Sequence, residues 1–372
     1  MKYYPRYLTP TIVSDLKKKM VFVGGPRQVG KTTLAKSLLG SNPKGYLNWD
    51  VAAHRERILK QELPVSEFWI FDEIHKYRSW RNFLKGLYDA DTKQKILVTG
   101  SARLDYYRRG GDSLQGRYFY LRLHPLSVAE LKISSPRDFE RLLTFGGFPE
   151  PYFGQNEIDA KRWSRDYRTR LLQEDLMPLE RIQDIGHLEL LTLRLPELVG
   201  SPLSINALRE DLQVSHKTLS KWLDILERLY AIFRLSPFGA PKLRAVKKEQ
   251  KHYHFDWSLV PKKSYQFENL VAGHLLKWVH FKQDTEGSDV DLRYFRDVDK
   301  REVDFIVTKK NKPVQAIECK WDDDPVGDGL KYFKNKFPGC ECWQISAIGK
   351  KDYCTKEKIR GCPAILFLKN LV

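Results

Sequence analysis

Between residues 20 and 125 the chain alternates short apolar runs with stretches of helical spacing. The runs at 20–25, 45–50, 68–73, 94–101 and 117–123 have the length of buried strands. Strand and helix in alternation predict an α/β domain, a parallel sheet with helices on both faces. Residues 1–19 are basic and aromatic and read as a lead-in segment packed on that domain.

Farther along the period changes. From 155 to 200, Leu171, Leu172, Asp175 and Leu176, then Leu188, Leu191 and Leu195, recur at helical spacing among Arg and Glu, which predicts a helical connector. The next stretch reads as helix, short turn, longer helix and strand, with Ser204 and Ser215 as N-caps. Leu219, Trp222, Leu223, Leu226 and Leu229 form its buried stripe, leaving His216, Lys217, Ser220 and Lys221 on the outer face. That face suits a major groove or, equally, the packing of domains. Basic residues follow at Lys242, Arg244, Lys247, Lys248 and Lys251. A helix over 265–279 has Phe267, Leu270, Val271, His274 and Trp278 on one apolar face, with Glu268 beside it. The runs LRYFRD, EVDFIVT and VQAIECKW then predict three strands. In the last, Val314, Ala316, Glu318 and Lys320 share one face, because strand side chains alternate. An acid and a lysine on an otherwise apolar strand need partners. Asp304, across a hairpin near Lys310-Asn311, is the natural one. These changes of pattern divide the chain into domains at 1–145, 146–240 and 241–372.

Two constellations carry chemistry. GPRQVGKT, residues 25–32, fits G-x-x-x-x-G-K-[ST] between a strand and a helix, the pattern of a phosphate-binding loop. Gly25 and Gly30 let the backbone wrap closely so that N–H groups face an anion, Lys31 reaches the β- and γ-phosphates, and Thr32 places its hydroxyl on Mg²⁺. Phe68–Phe71 then runs into Asp72-Glu73, where Asp72 suits a Mg²⁺ contact and Glu73 the polarisation of an attacking water. KILVTGSAR ends in Thr99, Ser101 and Arg103, small polar groups and a base placed to sense the γ-phosphate. Arg103, Arg108, Arg109 and Arg117 are each candidates for an arginine finger, within one subunit or between two.

GGPRQVGKT, FDEIH, LVTGS, LQGRYFYLRLHPLS and GGFPEPY, in that order, resemble the prokaryotic AAA-type ATPases that carry a C-terminal nuclease-like domain of unknown function. The resemblance covers nearly the whole chain. It implies an ATPase core with the catalytic Glu on the strand beside the phosphate loop, a helical lid from about Gly146-Gly147-Phe148-Pro149, and a winged helix. It maps Lys31, Thr32, Asp72 and Glu73 onto ATP and Mg²⁺ and favours Arg117 as the sensing arginine; Thr33 and Ser101, beside these residues in the chain and at the end of the later strand, complete the expected nucleotide contacts. Asp304 followed by Glu318-Cys319-Lys320, with Glu268 on the leading helix, resembles the PD-(D/E)xK nucleases. That resemblance implies Mg²⁺ on Asp304 and Glu318, support from Glu268, and a water oriented or activated by Lys320. Val303 stands where the superfamily often has Pro.

Composition bears on partners. The 64 Lys and Arg exceed the 47 Asp and Glu, a net charge of +17. Such a surface favours a polyanion, here DNA. The N-terminal residues have no apolar leader and no run approaches the ~20 residues of a membrane span, so a cytoplasmic protein without a membrane is expected. Five cysteines, all beyond residue 318, do not make a disulfide framework; buried thiols fit better than zinc. The combined expectation is a homo-oligomeric ATP-hydrolysing, DNA-binding protein that cuts or remodels DNA. Its alternative is a nucleotide-switched DNA-binding regulator whose nuclease-like domain binds without cutting. A peptide-handling ATPase fits the basic charge less well.

Overall fold

The computed structural model describes residues 4–40, 43–90, 93–100, 114–176, 185–239 and 250–372. Ser101, Arg103, Arg108 and Arg109, and the basic residues Lys242, Arg244, Lys247 and Lys248, lie outside the described residues. The chain forms two compact units, Met1–Pro125 and Leu126–Val372.

The first unit runs α1 (Thr9–Asp15), β1 (Met20–Gly24), α2 (Lys31–Ser37), β2 (Tyr46–Asn48), α3 (Ala52–Lys60), β3 (Phe68–Asp72), α4 (Trp80–Asp89), β4 (Lys95–Thr99) and β5 (Tyr118–Arg122). All five expected strands are present, paired in parallel in the order β2-β3-β4-β1-β5. β1 is buried along its whole length and β3 and β4 nearly so, as a parallel sheet requires. Phe22, Phe71 and Val98 from the sheet pack with Ile58 of α3 and Trp80 and Leu84 of α4. The order corrects one implication of the resemblance: β4, and not the acid-bearing β3, lies beside the loop-bearing β1. The lead-in segment does pack on this unit. Buried Arg6 donates to the carbonyls of Val29, 2.7 Å, and His124, 2.5 Å, and so ties the phosphate-binding loop to the chain leaving β5.

The second unit begins with helices α5 (Pro136–Phe145), α6 (Pro149–Gly154), α7 (Glu157–Arg170) and α8 (Ile185–Arg194). Phe148 packs against Trp163 and Tyr167, at centroid distances of 5.1 and 5.2 Å. Then come β6 (Pro202–Leu203), α9 (Ile205–Asp211), α10 (His216–Arg228), β7 (Ile232–Leu235) and β8 (Gln250–His254). Ser204 and Ser215 cap the two helices as expected, accepting from the amides of Ala207 and Thr218. The expected stripe of α10 is buried, with Ile225 added to it, and the helix pair is backed by an antiparallel sheet of order β6-β8-β7.

α11 (Lys263–Glu286) extends past both expected ends and is buried nearly all round over its first half, not on one face. It leads into the antiparallel β9 (Val290–Arg296), β10 (Glu302–Lys309) and β11 (Lys312–Lys320), then α12 (Asp328–Lys336) and β12 (Glu341–Ser346), which pairs in parallel with β11. β13 (Tyr353–Cys354), β14 (Ile359–Pro363) and α13 (Ala364–Leu368) complete the unit. Lys310 and Asn311 both have positive φ, 50° and 62°, the mark of a two-residue turn whose twist suits a hairpin. α11 also anchors the start of the unit: Lys277 Nζ donates to Ser127 Oγ, 2.9 Å, and pairs with buried Glu130, while His274 Nε2 accepts from the amide of Val128, 3.0 Å.

Asp256, buried between β8 and α11, gives this unit a titration. Its Oδ1 accepts from the amide and hydroxyl of Ser258, at 3.1 and 2.6 Å, and burial pushes its pKa from 3.8 up to about 6. The unfolded chain releases this proton near 3.8 and the native protein only near 6, so the contribution is full below pH 3.8 and is lost as pH rises through 6. Against the non-titrating Asp256→Asn, the wild type is expected to lose about 3 kcal/mol of relative stability between acid and neutral pH, measured by urea unfolding of both proteins.

Candidate functional sites

The phosphate-binding loop follows β1 and ends at α2. Gly25 has φ 135°, and a Cβ there would lie 2.2 Å from the carbonyl oxygen of Leu123; Gly30 has φ 99° at the N-cap of α2. Neither place accommodates a side chain without strain. Buried Lys31 turns its ammonium onto the loop's own carbonyls, Gly25 at 3.0 Å and Pro26 at 2.5 Å. Thr33 is exposed on the first turn of α2.

Asp72 ends β3 in the same place. Its Oδ2 accepts from Thr32 Oγ1, 2.9 Å, and from Tyr46 Oη, 2.7 Å; its Oδ1 accepts from Thr99 Oγ1, 2.7 Å. Buried beside this carboxylate, the Tyr46 hydroxyl is held well above its ordinary pKa. A hydroxyl and a carboxylate side by side at the mouth of an anion-binding loop are the donor set that Mg²⁺ takes there, so Thr32 and Asp72 fit that ion. At Glu73 the backbone turns left-handed, φ 57°, so its side chain departs from the alternation of the strand. Burial raises the Glu73 pKa, against the pull of Lys76, whose Nζ lies 3.3 Å away and also 2.6 Å from Asp50. Lys31, Thr32, Asp72, Glu73 and Thr99 are thus gathered at one end of the sheet.

Arg117 is not. It precedes β5 beside Met20, at the opposite end of strands that run in parallel, and its Nε is 2.8 Å from Asp89 at the end of α4. Five residues at about 3.3 Å each separate that edge from the loop, so Arg117 cannot sense a γ-phosphate in its own subunit.

A second cluster lies between α11, β8, β10 and β11. The pairing of β10 with β9 slips between Val303 and Ile306, a bulge that places Asp304 and Phe305 opposite Tyr294 and re-aims the Asp304 side chain. Asp304 Oδ2 accepts from the amide of Cys319, 2.8 Å. Lys320 Nζ donates to Glu318 Oε1, 3.1 Å, while Glu318 Oε2 is buried with no hydrogen-bond partner. Burial, and then Asp304, push Glu318 up to about 8.

Lys251, grouped above with the basic surface residues, is fully buried here. Its Nζ lies 2.5 Å from Glu302, 3.3 Å from Glu268 and 3.5 Å from Asp304, close to the ring of Tyr294. Burial disfavours its charge, yet the three carboxylates raise its pKa. Glu268 Oε1 also accepts from Tyr253 Oη, 2.7 Å. Glu268 is thereby committed to Lys251 and Tyr253, which corrects its reading as a metal ligand. Among the described residues no three His, Cys, Asp or Glu side chains are arranged to hold a metal, and the zinc set is likewise not formed. The cysteines are free thiols, and Cys354 is exposed where a buried one was expected. Asp304 and the partnerless oxygen of Glu318 fit one divalent cation between them.

A third feature is the outer face of α10, where His216, Lys217, Lys221 and Arg228 are exposed. No described helix is long and apolar enough to cross a membrane.

Comparison with known proteins agrees with the first site. Residues 17–132 match the model of an AAA domain; residues 136–265 and 265–359 match two domains of unknown function, DUF8612 and DUF4143. An uncharacterized protein of Mycobacterium tuberculosis is 26% identical over 245 residues, 65% of this chain and 55% of that protein. The alignment therefore spans about half the length of this relative. Uncharacterized proteins of Haemophilus influenzae and Methanocaldococcus jannaschii are each 22% identical, over 78% and 81% of this chain and 80% and 75% of their own. Residues 17–132 are thus similar to an AAA domain, and the parallel five-stranded sheet fits a P-loop fold; ATP and Mg²⁺ are the ligands that such a domain implies.

Proposed function

We propose that the chain is an ATP-hydrolysing, DNA-binding protein whose C-terminal domain is nuclease-like and Mg²⁺-dependent. The observation that carries the ATPase part is the convergence of Thr32, Tyr46 and Thr99 on Asp72 at the mouth of the phosphate-binding loop. On this reading Lys31 leaves the carbonyls of Gly25 and Pro26 for phosphate oxygens, Thr32 and Asp72 hold the cation, and Glu73 takes a proton from the attacking water once Lys76 releases it. Mg²⁺ held by Thr32 and Asp72 would supply charge neutralisation to the phosphates. With Arg117 at the far edge of the sheet, the remaining candidates for an arginine finger are Arg103, Arg108 and Arg109, which lie outside the described residues, or an arginine of another copy of the chain, which suits a homo-oligomer.

DNA binding is supported by the net charge of +17 and by the basic outer face of α10, in a helix pair backed by three strands as in a winged helix. The nuclease-like part is supported by the order α11-β9-β10-β11-α12-β12 and by Asp304, Glu318 and Lys320 meeting at the end of the sheet. A cation held by Asp304 and Glu318 would polarise a phosphodiester, and Lys320 is placed to orient the water. One observation favours the alternative, a nucleotide-switched regulator that binds without cutting: Lys251 already neutralises much of the acidic cluster.

Three outcomes are expected. Lys31→Ala weakens ATP binding, whereas Glu73→Gln binds ATP and hydrolyses it at least about 10²-fold more slowly in a phosphate-release assay; hydrolysis by Glu73→Gln at the wild-type rate would remove Glu73 from the site. DNA affinity falls with salt, log K against log salt having a slope of about −0.9 per phosphate contacted, and changing Lys217 and Lys221 to Ala lowers that slope; a flat titration would sink the polyanion reading. Single-stranded, duplex and branched DNA are cut in Mg²⁺ or Mn²⁺ by the wild type and not by Asp304→Ala or Lys320→Ala, whose ATPase persists. Tight binding that leaves every substrate intact would select the regulator.

A further inference from the structure

We infer that Lys251 is itself a cation of the acidic site, a resident ammonium that fills the place bounded by Glu268, Glu302 and Asp304 and restricts the site to a single divalent ion on the Asp304–Glu318 side. The inference rests on the nuclease-like reading of that site and adds to it a lysine outside the Asp304–Glu318–Lys320 constellation.

Geometry is the first ground. An ammonium has three N–H donors, and Lys251 Nζ has three carboxylates around it at 2.5 to 3.5 Å, one for each donor to face. Two divalent ions that share a carboxylate lie about 3.5–4 Å apart, each within reach of the shared oxygens. An ammonium 3.5 Å from Asp304 therefore stands where a second ion would have to bind. The first position remains open, because Glu318 Oε2 is buried without a partner.

Charge balance points the same way. The carboxylates of Glu268, Glu302, Asp304 and Glu318 face three cations: Lys251, Lys320, and Arg296, whose Nε is 3.8 Å from Glu302. With all four ionised, as a bound cation would hold them, one positive charge is lacking. A single divalent ion more than supplies it, whereas two would leave three positive charges in excess in a site that excludes water from Lys251. A lysine in this position is also not exchangeable with solvent ions, since it is delivered by β8, a strand of the helix-pair sheet, and does not depend on metal concentration.

The test is Mn²⁺ binding to the full chain without nucleotide, counted from the free-ion electron paramagnetic resonance signal. Wild type is expected to bind one Mn²⁺ that Asp304→Asn abolishes. Lys251→Met is expected to bind a second, or to bind the first at least about tenfold more tightly, and to gain more in melting temperature from Mn²⁺ than the wild type does, because metal then relieves the unpaired carboxylates. The wild-type count stands even if Lys251→Met does not fold. Two Asp304-dependent ions in the wild type, or an unchanged Lys251→Met, would each overturn the role of Lys251 while leaving the nuclease-like reading intact. No Asp304-dependent ion in either wild type or Lys251→Met would instead overturn that reading, and the inference with it.

Discussion

The Asp72 carboxylate is the constraint on which the nucleotide end of the first unit depends. It is buried, and a buried carboxylate is tolerated only when its oxygens are satisfied. Three hydroxyls do this, from β2, β4 and α2, so that one side chain joins both neighbours of its strand to the helix that follows the phosphate-binding loop. The insertion of β4 between β1 and β3 is what allows it, since Thr99 and Thr32 then approach Asp72 from one side. Neutral donors hold the carboxylate in place without discharging it, and Thr32 can turn to a cation without leaving Asp72 stranded.

The acidic cluster of the second unit solves the same problem with charge. Apart from Glu318 Oε2, its carboxylate oxygens meet Lys251 and Lys320, one amide and one tyrosine hydroxyl, and the bulge in β10 brings Asp304 within reach of them. Hydroxyls can exchange a carboxylate for a metal at little cost, but a buried ion pair is strongly directional and hard to rearrange. The first site is thus built to change ligands during a cycle. The second is built to stay as it is.

Much of this was legible in the sequence wherever the signal was local. The five strands of the first sheet, the two serine caps and the hairpin at Lys310-Asn311 each depend on residues within a few positions of one another, and each is found where the pattern placed it. Asp72 and Glu73 stand out because an apolar strand has no other reason to end in two acids. Lys251 carried no such signal. In QKHYH it reads as another surface charge, and its burial follows from acids 17 to 53 positions later, on elements whose packing no local period reveals. Arg6 was equally silent, a basic residue in a basic lead-in. Arg117 failed for a different reason: a motif names a residue, but strand direction decides which end of the sheet it reaches.

The strand order also dictates when each part of the molecule can form. β9, β10 and β11 are neighbours in sequence and in space, so their pairings close short loops and need no distant partner. β1 has no such neighbour. It pairs with β4 and β5, which begin 75 and 98 residues after it, so the strand that carries the phosphate-binding loop stays unpaired on both edges while most of the first unit is being synthesised. An apolar strand left open on two sides is a template for pairing with another chain. The step at which β5 closes over β1, bringing His124 to Arg6 and the loop to its final shape, is therefore both the last in the assembly of the nucleotide end and the one at which a nascent chain is most exposed to aggregation.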